Sequence, residues 1–174
     1  YSLLDNAAPH AGAGRPILKM DLRKFFPSIR ARDWESYCGN YKLFSDPRDI
    51  ALSSRLLFYR QRGGRVLRLS IGAPSSPMLS NILMAEFDEL VTKAVAKDHV
   101  TYTRYADDLT FSAPRTGYLV KVKRDVASVI RTLSHPKLDI NPRKTVYATA
   151  KFHREVTGLV LSNDGRVTVG RDYK

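Results

Sequence analysis

The chain has 174 residues, 43% of them hydrophobic, enough to close one domain around a core and too many for a disordered tail. No stretch is long and apolar enough to span a bilayer, and the start, Tyr1-Ser2-Leu3-Leu4-Asp5, lacks the basic-then-apolar layout of a signal peptide. The net charge of +12 comes from lysines and arginines scattered along the chain, and a folded domain this basic most often binds nucleic acid.

In chain order, residues 11–14 (Ala-Gly-Ala-Gly) read as a short flexible loop and 17–22 as a buried strand ending in Asp21. Residues 33–37 suit a short helix. Asp46-Pro47 starts another, with Pro at the first helical position, running to about Tyr59. Gly63-Gly64 marks a turn between two short strands. Ser75-Ser76-Pro77 opens a long amphipathic helix whose apolar positions are Leu79, Ile82, Leu83, Phe87, Leu90 and Val91. Residues 100–105 and 109–112 are two β-prone runs around a tight turn. A further helix carries Val122, Val126, Val129, Ile130 and Leu133. Residues 145–149, 156–161 and 167–169 are strands, the last two joined at Asn163-Asp164-Gly165. The order predicts an α+β fold, an antiparallel sheet with helices on one face. The only cysteine, Cys38, excludes an intrachain disulfide and a cysteine-based zinc cluster, fits a reducing cytosol, and reads as a small core or helix residue. The chain starts without Met and stops at Lys174, so we expect a piece of a longer protein.

Asp107 and Asp108 sit between the two β-prone runs. Within a strand they would point to opposite faces, but a turn can bring both to one edge. Adjacent carboxylates repel, and burial raises that cost, unless a cation neutralises them. A hard divalent ion prefers such oxygen ligands. Asp21, at the end of the first apolar strand, is the natural third carboxylate. Two ions about 3.5–4 Å apart can then activate a 3′-hydroxyl and steady a leaving pyrophosphate.

Tyr105-Ala106-Asp107-Asp108 matches the YxDD box of reverse transcriptases, and residues 102–112 resemble its bacterial version. Residues 21–29 resemble the family's first catalytic motif, 72–81 its substrate-binding loop and helix, and 140–145 the following lysine motif. Asn6-Ala7-Ala8-Pro9-His10 is similar to the NAxxH motif of retron reverse transcriptases, and Val156-Thr157-Gly158 to their VTG motif. The resemblance implies a polymerase palm, a ferredoxin/RRM-like antiparallel sheet, with part of the fingers; the N-terminal fingers segment and the C-terminal thumb are expected to be missing from residues 1–174.

It further implies catalytic and metal-binding roles for Asp21, Asp107 and Asp108, with the Leu22 carbonyl as a further metal ligand. The cofactor is two Mg2+ ions, with Mn2+ as a substitute. Nucleotide contacts fall to Arg23, Lys24, Phe26, Gly72, Ala73 and Lys144, with Phe26 excluding a 2′-hydroxyl and Phe25 left to the core. Ile71 stands where many relatives carry Gln. Ser75 or Ser76 is expected to cap the following helix. RNA contacts fall to Asn6, His10, Val156, Thr157, Gly158, Arg62, Arg65 and Arg68, and Arg60 belongs to the same basic hairpin. Expected partners are a structured noncoding RNA as template and primer, nascent DNA, dNTPs and an effector protein, in the bacterial cytoplasm and without a membrane. Retron enzymes prime from a guanosine 2′-hydroxyl and make branched multicopy single-stranded DNA used in phage defence. The alternatives are a group II intron, diversity-generating or CRISPR-associated relative, a non-catalytic RNA-binding subunit on the same fold, or a two-metal nuclease. NAxxH and VTG speak against the first three, the intact carboxylates against the fourth and the substrate loop against the last.

Overall fold

The computed structural model describes residues 2–169. The elements run α1 (Leu3–Ala7), a 3-10 turn (Ala8–His10), β1 (Ile17–Asp21), α2 (Phe25–Ser28), α3 (Ala31–Tyr41), α4 (Pro47–Leu57), β2 (Tyr59–Arg60), β3 (Leu67–Arg68), α5 (Ser76–Leu83) and α6 (Ala85–Ala96). They continue through β4 (Thr101–Tyr105), β5 (Asp108–Ser112), α7 (Thr116–Thr132), a 3-10 turn (Pro142–Lys144), β6 (Val146–Ala148), β7 (Glu155–Val156), β8 (Leu159–Leu161) and β9 (Val167–Val169).

The main sheet is antiparallel, in the order β4-β5-β1-β6. Strand alternation sorts its residues by face. Leu18 and Met20 of β1, with Leu109 and Phe111 of β5, join the main core. Phe87, Val91 and Val95 of α6 and Leu119, Val122 and Val126 of α7 cover them, each at most 1% exposed. Burying a side chain of this size contributes about 1.5–3 kcal/mol, so this layer fixes the sheet. The opposite face carries Lys19, Asp21, Asp108, Thr110 and Ser112. The expected α+β sheet with helices on one face is therefore present.

One end of that opposite face is not open. α1, the 3-10 turn after it and the three-stranded sheet β7-β8-β9 close over it around a second small core of Ala7, Ile17, Ala148, Val156 and Leu161. Arg154, 1% exposed, ties this cap together by donating to the carbonyls of Gly12, Arg15 and Ser162.

Four elements differ from the sequence reading. The helix expected over 33–37 extends over Ala31–Tyr41. The long helix expected from Ser75 onward breaks at Met84, itself 0% exposed. The break lets α5 pack on α3 while α6 packs on β4, which one straight rod cannot do. The run 156–161 folds into a hairpin at Thr157-Gly158, both with positive φ (48° and 84°), as a primed two-residue turn requires. α1 was not foreseen, although Ser2 and Asp5 form a capping box. Neither Ser75 nor Ser76 caps α5 by its side chain: the Ser76 hydroxyl donates to the Ser70 carbonyl at 2.7 Å and ties the loop before the helix.

Candidate active site

β4 and β5 meet in a two-residue turn closed by the Tyr105–Asp108 pair, with Ala106 and Asp107 at its tip. Ala106 sits at φ +52°, a left-handed conformation that costs a non-glycine residue about 1–2 kcal/mol. Both tip carbonyls are held. The Leu22 N–H donates to the Asp107 carbonyl at 3.0 Å, and Arg104 Nη1 donates to the Ala106 carbonyl at 3.1 Å. Arg104 is itself fixed by Asp88 of α6 at 2.7 Å, which also accepts the Tyr102 hydroxyl at 2.7 Å. The strained turn is thus anchored to the helix layer behind the sheet.

The register pairs Asp21 of β1 directly with Asp108 of β5. Asp21 is 5% exposed. Its carboxylate accepts from Asn141 Nδ2 at 2.9 Å and from Lys144 Nζ at 2.8 Å. The loop bearing these two is laid beside β1 by backbone bonds from Arg23 N to the Asp139 carbonyl and from Asn141 N to the Asp21 carbonyl, both 2.8 Å. Leu22 lies between those bonds, opposite Ile140, which leaves its own carbonyl outside that pairing. Burial, with the Asp21 charge added to it, holds the Asp107 carboxyl above its usual range. Burial and then Asp107 do the same for Asp108, against the opposing pull of Lys19. The hydrogen bond to Asp21 raises the Lys144 ammonium in turn.

In donor chemistry this set fits hard divalent cations: three carboxylates on facing strand ends, two of them raised in pKa by the burial and charge that a cation would offset. The carboxylates are not drawn into a finished cage, and among the described residues there is no group of three acidic, imidazole or thiol side chains already at ligating geometry. Asp21 is instead engaged by Asn141 and Lys144. Asn141 was not singled out by the sequence reading; its signal was the Asn-Pro step ahead of Lys144.

The remaining expected residues divide. Arg23 and Lys24 are exposed beside Asp21, with Lys24 left-handed at φ +48°, and they share a basic cleft with Arg30, Arg68 and Lys137. Phe25 is 3% exposed and in the core; Phe26 is half-buried against it, the rings 5.2 Å apart. Gly72 takes φ +86°, so its backbone accounts for glycine, and no protein atom crowds it. Ala73 follows it, half-buried. Arg62 and Arg65 are exposed in the loop between β2 and β3, whereas Arg68 donates to the Pro27 carbonyl at 2.6 Å.

Three of the expected RNA contacts have no surface to offer. Asn6, His10 and Val156 are all 0% exposed. The His10 ring bridges the Thr103 and Ser112 hydroxyls at 2.8 Å each, and Asn6 donates to the Thr157 hydroxyl at 3.4 Å. The two retron-like motifs therefore meet each other inside the cap. Of their residues put forward for RNA contact, only half-buried Thr157 and exposed Gly158 reach the surface.

An antiparallel sheet with acidic residues at one hairpin tip and helices behind it is the palm that the resemblance leads one to expect. The family model described as reverse transcriptase (RNA-dependent DNA polymerase) matches residues 2–161, and the chain belongs to that family. It is 33% identical to the retron Ec83 reverse transcriptase of Escherichia coli, over 99% of this chain and 56% of that protein. It is 36% identical to the retron Ec86 reverse transcriptase of the same organism, over 99% of this chain and 50% of that one. The retron Mx162 reverse transcriptase of Myxococcus xanthus is 32% identical, over 95% of this chain and 37% of that one. The chain thus spans about half the length, or less, of these curated relatives. Among solved structures, apo telomerase from Candida tropicalis superposes with a TM-score of 0.63 at 14% identity, over 97% of this chain and 38% of that one. Telomerase from Candida albicans in complex with a fragment of telomeric RNA gives 0.62 at 12%, over 97% and 32%. These two share the fold.

Proposed function

We propose that this chain is the catalytic core of a retron-type RNA-directed DNA polymerase. The observation that carries the reading is the direct cross-strand pairing of Asp21 with Asp108, with Asp107 beside them on the hairpin tip, in a chain whose curated relatives are retron reverse transcriptases. Asp21, Asp107, Asp108 and the Leu22 carbonyl are the groups that would hold two Mg2+ ions, or Mn2+ in their place. When bound, such ions favour the 3′-oxyanion of the primer and the leaving pyrophosphate.

The other residues position and select. Lys144 balances charge at Asp21, and its role is to give a proton to the leaving pyrophosphate. Arg23 and Lys24 meet the triphosphate, and Phe26 blocks a 2′-hydroxyl. Gly72 and Ala73 let nucleotide or template approach the backbone. Arg62, Arg65 and the Thr157-Gly158 turn contact RNA, with Arg68 shaping the basic cleft. Phosphate contacts of this kind make binding fall with salt. The template is the protein's own structured noncoding RNA, the product branched single-stranded DNA serving antiphage defence with an effector protein, in the bacterial cytoplasm.

The test is dNTP incorporation on an RNA template with Mg2+ by the full-length enzyme. The Asp107→Ala, Asp108→Ala variant is expected to lose on the order of a thousandfold or more. Incorporation equal to the unmodified enzyme would remove the assignment.

A further inference from the structure

Behind the sheet, away from the carboxylates of the hairpin tip, α3, the α5–α6 junction and the loop after α7 line a cleft of about 220 Å3. That is below the roughly 300–1,000 Å3 of small-molecule sites and leaves room for a single side chain. Its lining departs from the rest of the molecule. Asp33 and Glu86 bring carboxylates, Tyr37 and Tyr41 aromatic faces, Asn40 and His135 further polar groups, and none of the described lining residues is Lys or Arg. On a chain of net charge +12 this is a local site that repels phosphate and attracts a cation.

Two buried atoms in the wall, Asp33 Oδ1 and His135 Nδ1, lack a hydrogen-bond partner. Asp33 is 3% exposed, and its Oδ2 accepts the Arg30 backbone N–H at 2.7 Å, closing the first turn of α3. Its Oδ1 has no hydrogen-bond partner. His135 Nδ1 lies 3.2 Å away but off the line of a hydrogen bond, and is equally unpaired. Arg32 Nε, at 3.8 Å, is beyond hydrogen-bond reach. A buried carboxylate oxygen without a donor is costly until a donor reaches it. Beside it, Trp34, Tyr37 and Tyr41 stack along α3, with ring centroids 6.0 and 4.5 Å apart, and the last ring is 66% exposed.

Acceptors, aromatic faces and negative charge together match one side chain. We propose that this cleft is a docking pocket for an arginine presented by a protein partner. A guanidinium is planar and stacks on tyrosine, while its fork of donors reaches carboxylates. Its plane lies on the exposed Tyr41 ring, and its donors turn to the exposed Glu86 carboxylate, with the buried Asp33 charge behind. A lysine ammonium is compact and strongly hydrated and lacks that plane. A nucleotide would bring phosphate into the field of two carboxylates. The loop that forms one wall, through His135, runs on to Asn141, which holds Asp21 at 2.9 Å.

Trp34 is the single tryptophan of the 174-residue chain and lies on the same aromatic ladder, so its fluorescence reports occupancy. The probes are blocked Ala-Arg-Ala and Ala-Lys-Ala peptides and AMP, titrated at constant ionic strength. The arginine peptide is expected to give a saturable change at a concentration about threefold or more below the lysine peptide. Glu86→Gln and Tyr41→Ala, both at exposed positions, are each expected to weaken it by about threefold, with melting temperature and circular dichroism unchanged. No saturable response, equal response to the lysine peptide, or undiminished binding in both variants would overturn the proposal. So would saturable binding of AMP displaced by neither peptide.

Discussion

Thr103, Thr110 and Ser112 lie on the same sheet face as Lys19, Asp21 and Asp108, yet the two ends of that face treat their polar groups in opposite ways. At the capped end, Thr103 and Ser112 each hydrogen-bond a neutral His10, Thr103 also donates to the Asn6 carbonyl, and Arg154 is shared among backbone carbonyls. Most polar groups there are paired within the chain, the buried Asn6 Oδ1, Arg15 Nε and Arg154 Nε being the exceptions. At the hairpin end, two carboxyls are held above their usual range, and the turn that carries them bends through a left-handed alanine. Strain and unbalanced charge of this kind gather where a ligand is bound. The sealed end stabilises the sheet; the open end is stabilised by that sheet and keeps its charges for a ligand.

Substitutions at the two ends should therefore fail in opposite ways. The largest effect separates activity from stability: Asp107→Ala with Asp108→Ala is expected to abolish incorporation while thermal melting stays level or rises, because two repelling carboxyls are gone. A clear fall in melting temperature would place those groups among the stabilising ones. His10→Ala is expected to do the reverse. It leaves the Ser112 hydroxyl unpaired, and Thr103 with only its bond to the Asn6 carbonyl, around a hole, and should cost about 3 kcal/mol in urea unfolding, with incorporation per folded molecule unchanged in the full-length enzyme.

The same histidine sets a pH window. Burial, with Arg15 nearby, pushes its pKa from 6.5 down to about 4. The fold holds the neutral ring, so its contribution is complete above pH 6.5 and drains as pH falls toward 4, by at most about 3 kcal/mol. The Asp107 and Asp108 carboxyls have the opposite sign, since acidification relieves the cost of burying their charge and then their repulsion. Urea unfolding from pH 7.5 to 4 should show a steeper acid loss in the unmodified chain than in His10→Gln; parallel curves would count against a buried neutral ring. The smallest effect belongs to Ala106→Gly. Relief of the left-handed φ, less the backbone entropy of glycine, should add about 0.5 kcal/mol, while a looser tip lowers incorporation a few-fold; a loss of stability would show that the turn is not strained.

Much of the hairpin end, the candidate site, was legible because it is local. An apolar run ending in Asp21, and two β-prone runs flanking Asp107-Asp108, announce strands with acidic ends, and the alternation of Leu18 and Met20 assigns Asp21 to the other face. Asn141 was harder to see, because its partner Asp21 is 120 residues away. The cap was misread for the same reason: Asn6 and Thr157 are 151 residues apart, and nothing near either of them says that their side chains meet. A short polar motif can be a surface or the inside of a contact, and only its distant neighbour decides which. Met84 shows the limit of periodicity, since the apolar spacing runs on through a break imposed by packing on two different neighbours.

By itself, then, the sequence determined the family, the α+β order, the paired carboxylates and the basic surface, because each is written in residues close together or in the total charge. Tertiary structure decided that Asp21 faces Asp108 in register, that NAxxH and VTG close on one another, and that Asp33, Tyr37, Glu86 and His135 share one acidic cleft. These depend on which residues the sheet and its two cores bring together from distant parts of the chain, and the cost of burying polar atoms then fixes which of them must be paired.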